Sequence, residues 1–226
     1  MIHHTSNLPR RLAAEALGTS FLLAIVVGSG IMGQQLAGGN TAIALMANAI
    51  ATGTGLAVLI ALFGPISGGH FNPAFTLAFA ARRELSTFDA LAYLAAQFLG
   101  AMIGVIAAHF MFGEALIQIS ATDRSGPAQA FSEGVATFGL LATIFGAIKV
   151  RPGATPFLVA LYITSAYWFT ASTSFANPAV TLARSATDTF AGIAFSSVPT
   201  FIIAQLAGAA IAAAFIPWLF KEERIA

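Results

Sequence analysis

The chain of 226 residues is 58% hydrophobic and only 8% charged, against about 25% charged in an ordinary soluble domain, which excludes a fold solvated by water on all sides. A net charge of +1, from 10 Lys plus Arg against 9 Asp plus Glu, leaves no basic patch for nucleic acid. The absence of cysteine excludes disulfides, thiolate metal sites and a cysteine nucleophile.

A bilayer core takes roughly 20 apolar residues per helix, so this length holds six spans and not twelve. The first apolar run, residues 12–32, is interrupted only by Glu15. It exceeds the roughly 7–15 residues of a signal-peptide core and is read as a retained first span. Further spans are predicted at about residues 41–63, 90–112, 128–148, 154–171 and 198–220. Only Glu15 and Glu133 place charge inside a span; the other charges fall in the gaps. Alternate gaps put Arg10, Arg11, Arg82, Arg83, Lys149, Arg151, Lys221 and Arg224 on one side and Arg124 and Arg184 on the other. The positive-inside rule then sets both termini in the cytoplasm. Tyr167 and Trp168 at the outer end of span five, and Trp218 at the inner end of span six, read as interfacial girdle residues.

Two segments break the six-span pattern. Residues 64–82 contain GPISGGHFNPAFTLAFA and residues 171–184 contain ASTSFANPAVTLAR, so Asn72-Pro73-Ala74 recurs as Asn177-Pro178-Ala179. AEALGTSFL from Ala14 is echoed by SEGVATFGL from Ser132, which pairs Glu15 with Glu133 and Thr19 with Thr137. QFLGAMIG from Gln97 is echoed by QLAGAAIA from Gln205. The whole chain, 1–226, therefore reads as one transmembrane domain made of two copies, about 10–112 and about 128–220. Three spans per copy is an odd number, so the second copy enters the membrane from the opposite face and the repeats are inverted.

Asn before Pro is a strong helix start, because Asn caps and Pro at the first helical position gives up no hydrogen bond. Each Asn-Pro-Ala then opens a half-helix too short to cross a bilayer. Irregular backbone at that depth is tolerated only where it is buried in protein or lines a water-filled cavity. Two opposed half-helices bring two partially positive N-termini to one point, which repels cations and protons. The Asn72 and Asn177 amides add donors there, and loop carbonyls in 67–70 and 172–175 add acceptors. Together these describe a pore for neutral solutes.

SGGHFNPAFTLA, FANPAVTLA, the paired glutamates and the paired glutamines make the chain similar to the aquaporin, or major intrinsic protein, family over its whole length. The resemblance implies an all-α membrane protein of six transmembrane helices and two re-entrant half-helices. It also implies one pore per subunit, a homotetramer, no cofactor, and a multi-pass place in a plasma membrane, the inner membrane of a bacterium. In most members an arginine follows the second Asn-Pro-Ala; here the residue is Val180. Family spacing carried onto this chain puts the other filter positions at Thr52, Ser165 and Ser174. That filter has no aromatic, histidine or arginine, which implies a wide, aquaglyceroporin-like pore admitting glycerol, urea or neutral metalloid hydroxides such as arsenous acid, besides water. The Val180 position resembles the bacterial arsenic-resistance-associated type.

Arg184 lies one helical turn beyond Val180 and is expected at the outer mouth, where it attracts anionic or strongly dipolar solutes or else pairs with Asp188. Glu15 and Glu133, costly in a membrane, are expected to brace the two loops rather than to relay protons. His70 matches a loop histidine of the family and is a candidate pore-lining residue. His109 is expected at the interface. Gly100 with Gly104, and Gly208 with Ala212, read as close helix contacts. No histidine pair has metal-ligand spacing and no catalytic motif is present, so an enzyme is not expected. The alternatives are a secondary transporter built on inverted repeats and a strictly water-selective pore.

Overall fold

The computed structural model describes residues 6–221. Arg224, counted above with the inner basic residues, lies outside them. Among the described residues every regular element is helical: α1 (Leu8–Leu36), α2 (Thr41–Ser67), α3 (Pro73–Ala81), α4 (Thr87–Phe112), α5 (Pro127–Val150), α6 (Thr155–Phe169), α7 (Pro178–Ala183) and α8 (Val198–Leu219), with 3₁₀ turns at Pro152–Ala154, Arg184–Ala186 and Phe195–Ser197.

The six predicted spans coincide with α1, α2, α4, α5, α6 and α8. Local chemistry extends several of them beyond the apolar run. Asn7 caps α1 by accepting from Arg10 N, Asn40 caps α2, and Ser86 caps α4 by accepting from Asp89 N. Gly68 and Gly113 end α2 and α4 in left-handed conformations, with φ of 92° and 70°. Among the described residues, five helices are long and apolar enough to cross a bilayer. The sixth, α6, has 15 residues, to which the preceding 3₁₀ turn adds three.

The packing repeats as the sequence does. Helix α1 packs on α2 and α4, and α5 packs in the same way on α6 and α8, while α2 and α6 join the two halves. Glycines let the inner pairs approach closely: a Cβ on Gly100 would strike the Ala16 carbonyl, one on Gly104 the Ser20 carbonyl, and one on Gly208 the Gly134 carbonyl. Large apolar side chains such as Phe21, Val58, Leu91, Phe131 and Ile203 face outward, as lipid-facing surfaces require.

His109 departs from expectation. It is fully buried rather than interfacial, and its ring bridges the Leu116 carbonyl at 3.0 Å and the Thr187 hydroxyl at 2.7 Å. Burial forces it to satisfy both ring nitrogens, and the outcome is a tie between the end of α4 and two loops.

Candidate functional site

The two short helices meet end to end. Asn72 caps α3, its side-chain oxygen accepting from Ala74 N at 2.9 Å, and Asn177 caps α7 by accepting from Ala179 N at 3.0 Å. Each side-chain amide then crosses to the other loop: Asn72 Nδ2 donates to Ala176 O and Asn177 Nδ2 to Phe71 O, both at 2.7 Å. An amide nitrogen has two protons, so each keeps one for the lumen. Pro73 and Pro178 begin the helices, and Ala74 and Ala179 are completely buried. Helix α3 runs for 9 residues, but α7 for only 6 before it tightens into the 3₁₀ turn Arg184–Ala186.

The residues whose carbonyls accept those amides are in an unusual backbone state. Phe71 has φ of 48° and Ala176 of 47°, a left-handed region that non-glycine residues rarely occupy. Their N–H groups are held by buried carboxylates. Glu15 accepts from His70 N at 2.9 Å, Phe71 N at 2.7 Å, Ser67 Oγ at 2.6 Å and Gln97 Nε2 at 2.8 Å. Glu133 accepts from Phe175 N at 2.9 Å, Ala176 N at 2.8 Å and Gln205 Nε2 at 2.6 Å. Gln97 and Gln205 also donate to Thr76 and Thr181 on the half-helices. Each glutamate is thus enclosed by donors and tied to a loop.

A narrow, mostly apolar cavity of about 100 Å³ runs past this meeting point. Its helical walls are one-sided stripes: Leu22 and Val26 on α1, Thr52, Leu56 and Ile60 on α2, Leu140, Ile144 and Ile148 on α5, and Thr155, Val159, Ile163 and Tyr167 on α6. Leu22 and Leu140 stand 118 residues apart, as do Glu15 and Glu133, so the repeat extends into the lining. The loops add His70, Asn72, Ser174, Phe175, Asn177, Val180 and Arg184.

The two ends of the cavity share a scaffold but differ in chemistry. At the first loop His70 packs on Phe75, Phe79 and Tyr93, with ring centroids 4.3, 5.3 and 5.3 Å away. The repeat counterparts at the second loop are Phe175, Val180, Arg184 and Phe201. There Phe175 packs on Phe201 at 5.2 Å, and the Arg184 guanidinium lies 3.4 Å from the centre of the Phe175 ring. Arg124, from the loop between α4 and α5, stands 5.1 Å from the same ring and donates to Gly192 O at 2.9 Å. Burial pushes the Arg124 guanidinium below its usual pKa. Beside it, hydrogen bonds from Ser125 and Ser197 hold Asp123 below the usual carboxylate value.

Two expectations about α6 are corrected. Ser165 does not line the cavity: it is exposed on the outer side of α6, and its hydroxyl donates to Tyr162 O at 2.7 Å. Two residues along a helix are about 200° apart, so a stripe through Ile163 and Tyr167 turns Ser165 away. The carried-over spacing counts residues from Asn177 and takes no account of which face of α6 turns to the cavity. Tyr167, read as a girdle residue, is instead 3% exposed and faces the lumen, with its hydroxyl 3.1 Å from Thr52 Oγ1; Trp168 is exposed.

Beside the second loop, Arg184, Phe175 and Tyr167 also line the cavity. Arg184 is 2% exposed, and its Nε donates to Ala191 O. The alternative pairing with Asp188 does not form, because Asp188 accepts from Ala121 N and its own N–H donates to Gln118. Thr52, Ser174 and Val180 do line the cavity, and the Ser174 hydroxyl is buried without a protein partner. The signal for Tyr167 was the i, i+4 stripe Thr155, Val159, Ile163, Tyr167. Arg124 carries no local signal.

Comparison with known proteins gives consistent results. The family profile described as Major intrinsic protein matches residues 2–171. The chain is 54% identical over 218 residues to the aquaglyceroporin AqpS of Rhizobium meliloti (strain 1021), covering 96% of this chain and 93% of that one. It is 37% identical over 139 residues to nodulin-26 of Glycine max, covering 61% and 50%. The fold matches the X-ray structure of the aquaglyceroporin from Plasmodium falciparum with a TM-score of 0.73 at 18% identity, covering 92% of this chain and 95% of that one.

Proposed function

The chain belongs to the major intrinsic protein family, and on that premise we propose that it is a passive membrane channel for water and small uncharged solutes, with glycerol, urea and neutral metalloid hydroxides such as arsenous acid as its solute class. The observation that carries this reading is the crossed pair of amides: Asn72 and Asn177 each cap one half-helix and bond the other loop, beside a narrow cavity. A solute in single file meets amide donors and two helix N-termini at one point and turns its acceptor oxygen toward them. That orientation interrupts a hydrogen-bonded chain of water, and the helix ends disfavour cations.

At the outer end Thr52, Ser174, Val180 and Arg184 serve as the filter, with Tyr167 in the place first given to Ser165. Arg184 supplies, one turn further out, the positive charge that Val180 lacks. Its Nη groups make no hydrogen bond among the described residues and are available to solute oxygens. His70 lines the inner approach, and Glu15 and Glu133 brace the loops. The chain acts as an integral membrane protein with both termini cytoplasmic and assembles as a homotetramer; the skew of basic residues to one side supports the orientation, and family membership supports the assembly. Members of this family are channels and not enzymes.

The deciding experiment is swelling of proteoliposomes in water, glycerol, urea and arsenous acid gradients, comparing wild type with Val180→Arg. Linear, gradient-driven flux supports the channel. Saturable uptake coupled to an ion gradient overturns it in favour of a transporter.

A further inference from the structure

Three helices end beside one another, and each ends on a cation. Arg82 follows α3, Lys149 lies in the last turn of α5, and Lys221 comes just after α8. All three line one cavity of about 490 Å³, together with Glu84 and an apolar wall that includes Phe145 and Phe220. A cation offsets the partial negative charge of a helix C-terminus, but three cations against one carboxylate leave the lining with an excess of positive charge. Arg82 is held in place there: it pairs with Glu84 at 2.6 Å, donates to Ala213 O at 3.4 Å and stands 4.8 Å from the centre of the Phe145 ring. A guanidinium has five N–H groups. Two of them meet Glu84 and one meets Ala213 O, so others are left to point at an anion.

A second cavity, of about 400 Å³, adjoins the first at Arg82, which lines both. It is a groove between α3 and α8, with Leu77 and Ala81 on one bank and Leu206, Ala210 and Ala214 on the other, all of them exposed. Along α3 it runs from Ala74 to Arg82, about 12 Å at 1.5 Å per residue. One leaflet of a bilayer has about 15 Å of hydrocarbon. An apolar groove of nearly that depth, with cations at one end, matches one acyl chain below an anionic head group. A soluble anion would need no groove, and an apolar helix of a second copy would need no excess of positive charge.

We propose that the junction of α3, α5 and α8 is a binding site for an anionic phospholipid of the inner leaflet. Its phosphate lies among Arg82, Lys149 and Lys221, and one acyl chain follows the groove between α3 and α8. Only the choice of leaflet rests on the orientation given above.

The test is lipid binding to the delipidated full chain in neutral detergent, read by native mass spectrometry. The probes are dioleoyl phosphatidylglycerol, dioleoyl phosphatidylcholine and inorganic phosphate. Phosphatidylglycerol binds tighter than phosphatidylcholine by about tenfold or more, and equimolar phosphate does not displace it. Lys149→Gln and Lys221→Gln each lower the affinity for phosphatidylglycerol by about fivefold, the worth of one cation near an anionic surface, and leave phosphatidylcholine unaffected. Arg10→Gln, a basic residue outside the cavity, changes neither. Ala210→Phe fills the groove and weakens both lipids. Equal affinity for the two lipids overturns the site, as does a loss in Arg10→Gln that matches the lysine variants, which is general charge attraction. Displacement by equimolar phosphate makes it a free-anion site instead, and a changed oligomeric mass in Ala210→Phe makes the groove a contact between copies; either overturns the proposal. If Ala210→Phe fails to assemble, the lysine variants and the phosphate competition still decide. The assay measures no flux, so failure of the channel reading shows in liposome swelling and not here.

Discussion

The N–H of Phe71 donates to Glu15 Oε2 at 2.7 Å while Phe71 holds a left-handed φ of 48°. Ala176 and Glu133 repeat the arrangement 105 and 118 residues later, at 2.8 Å and 47°. A strained backbone of this kind costs roughly 1–3 kcal/mol and persists only where its surroundings over-determine it. The buried carboxylate supplies that constraint, and the strain in turn aims each carbonyl at the opposite Asn amide.

Glu15→Gln and Glu133→Gln replace one acceptor oxygen with a donor facing N–H groups. Each is expected to destabilise the folded protein by about 1–3 kcal/mol, the cost of leaving a buried polar group unsatisfied, read as a lower thermal midpoint in detergent. The protein that remains folded should keep the pH profile of wild-type flux. Loss of a pH dependence in intact Glu15→Gln would identify a proton relay instead.

Val180→Arg places a long cation where the lumen has a short apolar side chain, one turn from Arg184. Glycerol, urea and arsenous acid flux should fall by about tenfold or more, equivalent to about 1.4 kcal/mol in barrier height, while water flux falls less. Stopped-flow swelling measures both, and equal losses would place Val180 outside the narrow region.

Ser174 carries a buried hydroxyl with no protein partner and lines the cavity, so bulk added there projects into the solute path. Ser174→Trp is expected to reduce glycerol flux much more than water flux. A proportional loss of both argues that the variant disturbs the loop rather than the constriction.

Arg184→Ala removes the guanidinium over Phe175 and the bond to Ala191 O. Solute selectivity should shift and cation exclusion weaken, read as faster dye-reported proton leak across proteoliposomes. Arg184→Lys should not restore wild-type selectivity, because a point charge lacks the planar fork that stacks on the ring. Swelling rates and leak unchanged in Arg184→Ala would remove this residue from the filter.

With no cysteine in the chain, mercurials have no thiolate to bind, so mercuric chloride should leave water flux at its untreated rate. Reproducible inhibition points to adducts at histidine, and His70→Ala would then abolish it.

The amino-acid sequence by itself determined the membrane environment, the six spans, the inverted duplication and the two half-helices. These are set by local rules: apolar run length, Asn-Pro capping and recurrence of the same residues at a fixed offset. The glutamates were legible because an isolated carboxylate in an apolar run demands donors, and each recurs in the matching place. The filter was legible only in part. Thr52, Ser174 and Val180 do line the cavity, but Ser165 was placed by counting across a loop. Whether a helix residue faces the lumen depends on rotation about the helix axis, which a count of residues from Asn177 does not contain. Tertiary structure alone turned Tyr167 inward onto Thr52, buried Arg184 against Phe175, and brought Arg124 from a distant loop to the same ring. Local patterns fix which helices form; the lining of the pore is decided where helices from opposite repeats meet, because only their packing sets which face each one turns to the other.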